Sequence, residues 1–237
     1  MRRFLIAAIA ALACQALSSV RAQEPEGGEG GRQVWFAATA IPADLENPIR
    51  VMIGEDVLEV ELSSRMTSES VAIKPDGIVR VVRPVPDPAN AGETILRDIA
   101  RATVPEGVAK ALIILIPRAE PTPAGILFHT IVQDLAKFGG GDYMFMNLTK
   151  LPVAVQLGEK KIALRPGQTE ITRAGALDDA VQTPISYHFQ NAENGEWQLI
   201  SASTVVLMPT RREICVFSWD EQYDRINYRG ITFPVAD

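Results

Sequence analysis

Apolar and polar residues alternate with a period of two over most of the chain, and the alternation breaks at Gly, Pro and Asn. That is the pattern of half-buried β-strands joined by turns. It is clearest over residues 143–172, YMFMNLTKLPVAVQLGEKKIALRPGQTEIT. This stretch reads as a β-meander, with strand alternation at 143–148, at 153–157 and at 162–164, each run closed by a turn signal. Tyr143, Phe145, Val153, Val155, Leu157, Ile162 and Leu164 are expected in or near a core, while Gln156, Lys160, Lys161 and Arg165 face water.

The remaining elements follow from the same pattern. Val34-Trp35-Phe36-Ala37 begins a strand, and residues 49–53 and 57–62 form a hairpin about Gly54-Glu55-Asp56. A second hairpin is expected from 70–73 and 78–82 about Pro75-Asp76-Gly77. Pro84, Pro86 and Pro88 each remove a backbone donor, which predicts an extended surface loop. Over residues 93–103, Ile95, Leu96, Ile99 and Ala100 share one helical face, so a short helix is preferred to the alternating strand that also fits. Residues 111–116 are apolar at every position, as in a central strand buried on both faces. Residues 117–125, with Pro121 and Pro123, make the best linker; 126–134 is strand-like, and Gly139-Gly140-Gly141 reads as a flexible connection. Further on, 186–190 and 196–201 flank an Asn-Gly hairpin loop. Residues 204–208 and 213–219 add two strands, and 223–233 a last, partly charged edge.

One internal echo bears on organisation. Residues 51–60, VMIGEDVLEV, recur as VQLGEKKIAL at 155–164, an offset of 104, with Val, Gly and Glu shared. The echo points to a duplicated β-domain; the alternative is that Gly-Glu turns between alternating strands recur by chance. The expected fold is mostly β: an antiparallel β-sandwich, or two packed Ig-like β-domains, with at most one short helix. Two β-domains would span 34–118 and 119–237; the alternative is one continuous domain over 34–237.

The N-terminus changes the setting. Arg2 and Arg3, a mostly apolar run over 4–17, and Val20-Arg21-Ala22 read as a secretory signal peptide over residues 1–22, followed by a flexible Gly/Glu linker over 23–33. A lipoprotein signal ending at Cys14 is the rival. Either places the mature chain in the periplasm or at the cell surface, and no later stretch approaches the roughly 20 apolar residues of a membrane span. Cleavage removes three arginines and no acids, taking the net charge from −6 to −9. That balance disfavours nucleic acid and anionic membrane surfaces as partners. Cys215 would be the sole remaining cysteine, which leaves no internal disulfide.

Candidate chemistry is sparse. His129, His188 and Cys215 have no close metal-ligand spacing, so neither a metal nor a cofactor is expected. There is no Gly-x-Ser-x-Gly elbow; Cys215 reads as a small core hydrophobe, and a Cys215/His188 pair exists on paper only. Asp178-Asp179 and Asp220-Glu221 are loop acids on which a hydrolase could be built. Asn147-Leu148-Thr149 matches a glycosylation sequon, discounted because it lies in a strand. Trp219, Tyr223, Arg225, Tyr228 and Arg229 cluster near the C-terminus as a candidate interaction surface, set against the plainer reading of a strand end and sheet edge.

The run from Tyr143-Met144-Phe145-Met146-Asn147-Leu148-Thr149 through Val153 to Gly158 and on to Leu164-Arg165-Pro166-Gly167 resembles a pattern in exported bacterial proteins of unknown function. There an N-L-(S/T) strand leads to a V-x-(L/I)-G hairpin and an L-x-P-G turn. The resemblance implies an exported bacterial β-sandwich and transfers no catalytic residue. The functional expectation is an exported, non-enzymatic protein that binds a protein or another envelope component; the alternative is a secreted hydrolase using loop carboxylates.

Overall fold

The computed structural model describes residues 31–90 and 92–235; the expected signal peptide, Cys14 and most of the expected Gly/Glu linker lie outside the described residues. The first eight strands are β1 (Gln33–Ala38), β2 (Ile49–Ile53), β3 (Asp56–Val60), β4 (Val71–Ala72), β5 (Ile78–Pro86), β6 (Thr94–Thr103), β7 (Lys110–Pro117) and β8 (Phe128–Asp134). After a 3-10 turn, Leu135–Lys137, come β9 (Tyr143–Asn147), β10 (Val153–Leu157), β11 (Lys160–Leu164), β12 (Thr169–Thr172), β13 (Val181–Gln190), β14 (Trp197–Leu207), β15 (Arg211–Asp220) and β16 (Arg225–Pro234).

The eightfold groups are copies of one topology. The first forms sheets of order β4-β1-β7-β8 and β3-β2-β5-β6; the second forms β12-β9-β15-β16 and β11-β10-β13-β14. Each copy has one parallel pairing in the same place, β1 with β7 and β9 with β15. Each also has a bulge in its longest hairpin, after Val81 in β5–β6 and after Tyr187 in β13–β14. The 104-residue echo falls on the equivalent hairpins β2–β3 and β10–β11, whose ladders pair Val51 with Leu58 and Val155 with Ile162.

Three apolar cores stack the four sheets in series. Val34, Phe36, Ile113 and Leu115 fill the first sandwich, and Phe145, Val155, Cys215 and Phe217 the second. Between the sandwiches, Trp35, Leu112 and Ile114 of one pack against Met144, Met146, Ile214, Val216 and Phe233 of the other. The β1-β7 and β9-β15 pairs are therefore buried on both faces, which is why 111–116 carries no polar position.

Several expectations change. Residues 94–103 form strand β6 rather than a helix: Asp98 is buried on it and ion-paired to Arg80 of β5 at 2.6 Å and to Arg101. Burial pushes the Asp98 carboxyl up, but hydrogen bonds and charge from the two arginines outweigh it and hold it below the usual range. Pro84 and Pro86 lie inside β5, past Val82, the last residue that β2 pairs, where no neighbour on that side needs a donor. The expected hairpin about Pro75-Asp76-Gly77 instead crosses between sheets, because β4 pairs with β1 and β5 with β2 and β6. The two strands expected over 196–201 and 204–208 are the single strand β14, Trp197–Leu207. Residues 117–125 do not separate the copies; they join β7 to β8 within one sheet, and the chain passes to the second copy through residues 135–142.

That passage is not slack. A Cβ on Gly140 would meet the Pro209 carbonyl oxygen at 1.7 Å, and Gly141 has φ +76° with the Leu177 side chain where a Cβ would point. Buried Asp142 closes the turn, its carboxylate accepting from Gly139 N and Ala174 N, each at 2.8 Å.

Residues 143–172 are not a meander either. Strands β9 and β12 pair with each other in one sheet, while β10–β11 is a hairpin in the next. Fully buried Asn147 makes the crossing, its amide donating to Leu151 O at 2.8 Å and Leu164 O at 3.1 Å and accepting from Thr149 N and Oγ1. A glycan has no room on that amide, which gives the discounted sequon its physical reason. The core residues expected from this stretch are in place, and Gln156, Lys160, Lys161 and Arg165 are exposed.

Candidate binding groove

The two copies differ along one side. In the first, edge strands β6 and β8 are drawn together: Thr130 Oγ1 donates to Arg101 O at 2.7 Å and Leu127 N to Ile99 O at 2.8 Å. Ala100 and Ala102 of β6 are buried behind that seam. By ladder position, Tyr228 of β16 stands where Thr130 does, and Ser201 and Ser203 of β14 where Ala100 and Ala102 do. A tyrosine is too long for the closed seam. Its hydroxyl meets Ser201 Oγ at 3.1 Å across the gap, and Ser203 is exposed. The loop at this end is also shorter, residues 221–224 between β15 and β16 against 118–127 between β7 and β8. The second sandwich therefore keeps an open groove between β14 and β16, with Tyr228 across its middle.

One lobe is a cleft of about 350 Å³ between Trp219, Arg225, Ile226 and Tyr228 on one sheet and Phe189, Leu199 and Ser201 on the other. Asp224, at φ 48°, and Asn227 complete a polar rim. Three of the five residues expected to form an interaction surface thus line one cavity. Tyr223, 60 % exposed, joins them through Arg225, whose guanidinium carbon lies 5.0 Å from its ring centre. Arg229 does not join: it follows Tyr228 on β16 and pairs with Val216, on the opposite face. The β13–β14 half of the cleft was missed in the sequence, since it depends on which edges fail to close.

The other lobe, lined by Tyr143, Tyr187, Glu213, Cys215 and Tyr228, collects most of the perturbed titratable groups. Burial pushes Tyr143 up to about 12, with the Glu213 charge adding to it. Tyr187 is raised by burial and then by Cys215. Glu213 is raised by burial, offset by Arg211 at 2.9 Å and by the Thr232 hydroxyl. Cys215 is pushed up to about 12 by burial, against a hydrogen bond with Tyr187. All four shifts favour the uncharged, proton-bearing form, which suits a wall and not a nucleophile. Native Cys215 should therefore resist iodoacetamide at about pH 8 and take one equivalent once unfolded in guanidinium; mass spectrometry after quenching reads both.

The other candidates stay apart. His188 is on the outer face of the second sandwich beside Trp197 and Lys161, with the β10-β13 sheet between it and Cys215. His129 is on β8 in the first sandwich. No group of three His, Cys, Asp or Glu suited to a metal ion occurs among the described residues. Asp178 and Asp179 are exposed on the loop before β13. Asp220 caps the β15–β16 turn, accepting from Gln222 N at 3.2 Å and Tyr223 N at 3.3 Å. Among the described residues no helix is long and apolar enough to cross a membrane. Compared with known protein families and with curated proteins, the chain matches none.

Proposed function

We propose that this is an exported, non-enzymatic β-sandwich protein that binds an envelope saccharide in the periplasm or at the cell surface, through the cleft between β14 and β16. The observation that carries this is the difference between the copies: one scaffold closes its side, and the other holds the same side open around exposed aromatic rings. The cleft has the size of a small-ligand site and its mixture of apolar wall and few polar groups. Trp219, Tyr228 and Phe189 offer ring surface. Asp224, Arg225, Asn227 and Ser201 offer acceptors and donors at the rim. A pyranose needs both, because its C–H face is apolar enough to lie on a ring while its hydroxyl edge must be hydrogen-bonded.

The test is a fluorescence titration with soluble peptidoglycan fragments and lipopolysaccharide core oligosaccharides. A saturable change is expected from Trp219, and Trp219→Ala should weaken binding at least about tenfold, or 1.4 kcal/mol, with the fold retained. Binding to none of these probes, or binding that survives Trp219→Ala and Tyr228→Ala together, would remove the proposal.

A further inference from the structure

Among the described residues eight strands form sheet edges, and seven are blunted in ways that deter pairing with another chain. Strand β4 has two residues; β3 carries Asp56 and Glu59; β11 carries Lys160 and Lys161; β12 is short and carries Glu170. Strand β16 carries Arg225, Arg229 and Pro234, while β6 carries Arg97, Asp98 and Arg101 and is seamed to β8. Strand β14, WQLISASTVVL, is the exception: it is the longest strand, with no charged residue and no proline. Its bulge lies near one end, so Ser201 to Leu207 pair regularly with β13 and present a straight outer row.

The direction of that row follows from Pro184. It stands opposite Thr204, it has no N–H to exchange, and its carbonyl accepts from Gly158 N at 2.8 Å on the far side. The pair is therefore one that exchanges no ladder bonds, and the N–H and C=O of Thr204 face away from β13. Ala202 and Val206, two residues either side, face the same way. Val206 O accepts from Arg211 Nη2 at 3.3 Å. The side chains about this row are also uncovered: Ala202, Ser203, Thr204 and Val206 are all exposed.

We infer that β14 is the pairing edge for a second copy of this chain, joining two β11-β10-β13-β14 sheets antiparallel across a two-fold axis. A two-fold contact must be complementary to itself. In an acidic chain, β14 meets that requirement, since it places no like charges opposite one another whatever the register. Val206, exposed on the outward row, gains cover from the second copy.

Sedimentation velocity on the full mature chain from about 1 to about 100 µM tests this. The wild type should show a concentration-dependent shift to twice the monomer mass. Thr204→Pro removes an outward donor and no ladder bond, and Thr204→Lys puts a charge on the edge; each should raise the dimer dissociation constant at least about tenfold. Circular dichroism and the thermal midpoint of each monomer report whether the fold is kept, and if Thr204→Pro loses it, Thr204→Lys decides. A wild-type chain that stays monomeric over the range, or a dimer that the folded variants leave unchanged, overturns the inference.

Discussion

Asn147→Ala should lower the unfolding free energy by about 3 kcal/mol, read as a shifted urea midpoint with little change in slope. The side chain makes four hydrogen bonds, three of them fully buried, donating to Leu151 O and Leu164 O and accepting twice from Thr149. Alanine leaves the Asn147 backbone bonds to Gln168 O and from Gly167 N in place. It strips the amide from Leu164 O and the acceptor from Thr149 N, both inside the second core. The Thr149 hydroxyl, whose single proton is shared between Asn147 Oδ1 and Leu151 O, can donate wholly to Leu151 O at 2.9 Å in the variant, so the loss is less than four times a single unsatisfied group. Asn147→Asp is the sharper control: its shape is the same, but a carboxylate would aim lone pairs at two carbonyl oxygens, and the loss should be at least as large. A loss under about 1 kcal/mol for both variants would mean that the crossing is held by packing alone.

The same asparagine shows what could be read in the sequence. The N-L-T, V-x-L-G and L-x-P-G segments look like successive strand and turn signals, and their strands are all present. What joins them is Asn147, which touches the Leu164 and Gly167 ends of the last segment. Alternation reports that a strand exists and which of its faces is apolar; it does not report which strand lies beside it, because pairing partners are set by contacts distant in the chain. Hence β9 and β10 were legible as strands while their division between two sheets was not. Residues 94–103 show the other limit. Ile95, Leu96, Ile99 and Ala100 satisfy a helical stripe, and what decides for a strand is the ladder to β5 with Asp98 held between Arg80 and Arg101.

The groove divides in the same way. Trp219, Arg225 and Tyr228 lie on one hairpin, so their grouping was visible as a local cluster. Phe189, Leu199 and Ser201 come from the facing sheet, and they border the cleft because Tyr228 occupies the place of Thr130. The signal that could have found them is the comparison of one copy with the other. Where the first has Ala100, Ala102 and Thr130, the second has Ser201, Ser203 and Tyr228, two alanines giving way to serines and a short hydroxyl side chain to a long one along a seam. Without the register of both copies those positions cannot be aligned, since the offset differs from strand to strand.

The junction between the sandwiches leads to the largest expected loss. Arg212 is only 6 % exposed, and carbonyls and rings hold it rather than a carboxylate. Its Nη1 donates to Leu135 O at 3.4 Å and to Phe138 O, and its guanidinium carbon lies 4.5 Å from the Phe233 ring centre and 5.6 Å from that of Phe138. Burial pulls its pKa down and the Asp142 charge raises it again. Arg212→Ala should cost about 3–5 kcal/mol, because it opens a cavity between two packed sheets and strips the donor from carbonyls that end the first copy. Arg212→Met separates those causes. It refills the volume and removes a buried charge whose Nε has no acceptor among the described residues, so it should recover about half of the loss. Arg212→Lys should fall nearer to alanine, since a compact, strongly hydrated ammonium is costlier to bury than a guanidinium and has no planar face to stack on Phe233. Urea unfolding of the three variants orders them. If lysine restores full stability while methionine restores none, the positive charge and not the planar, packed guanidinium holds the two copies together.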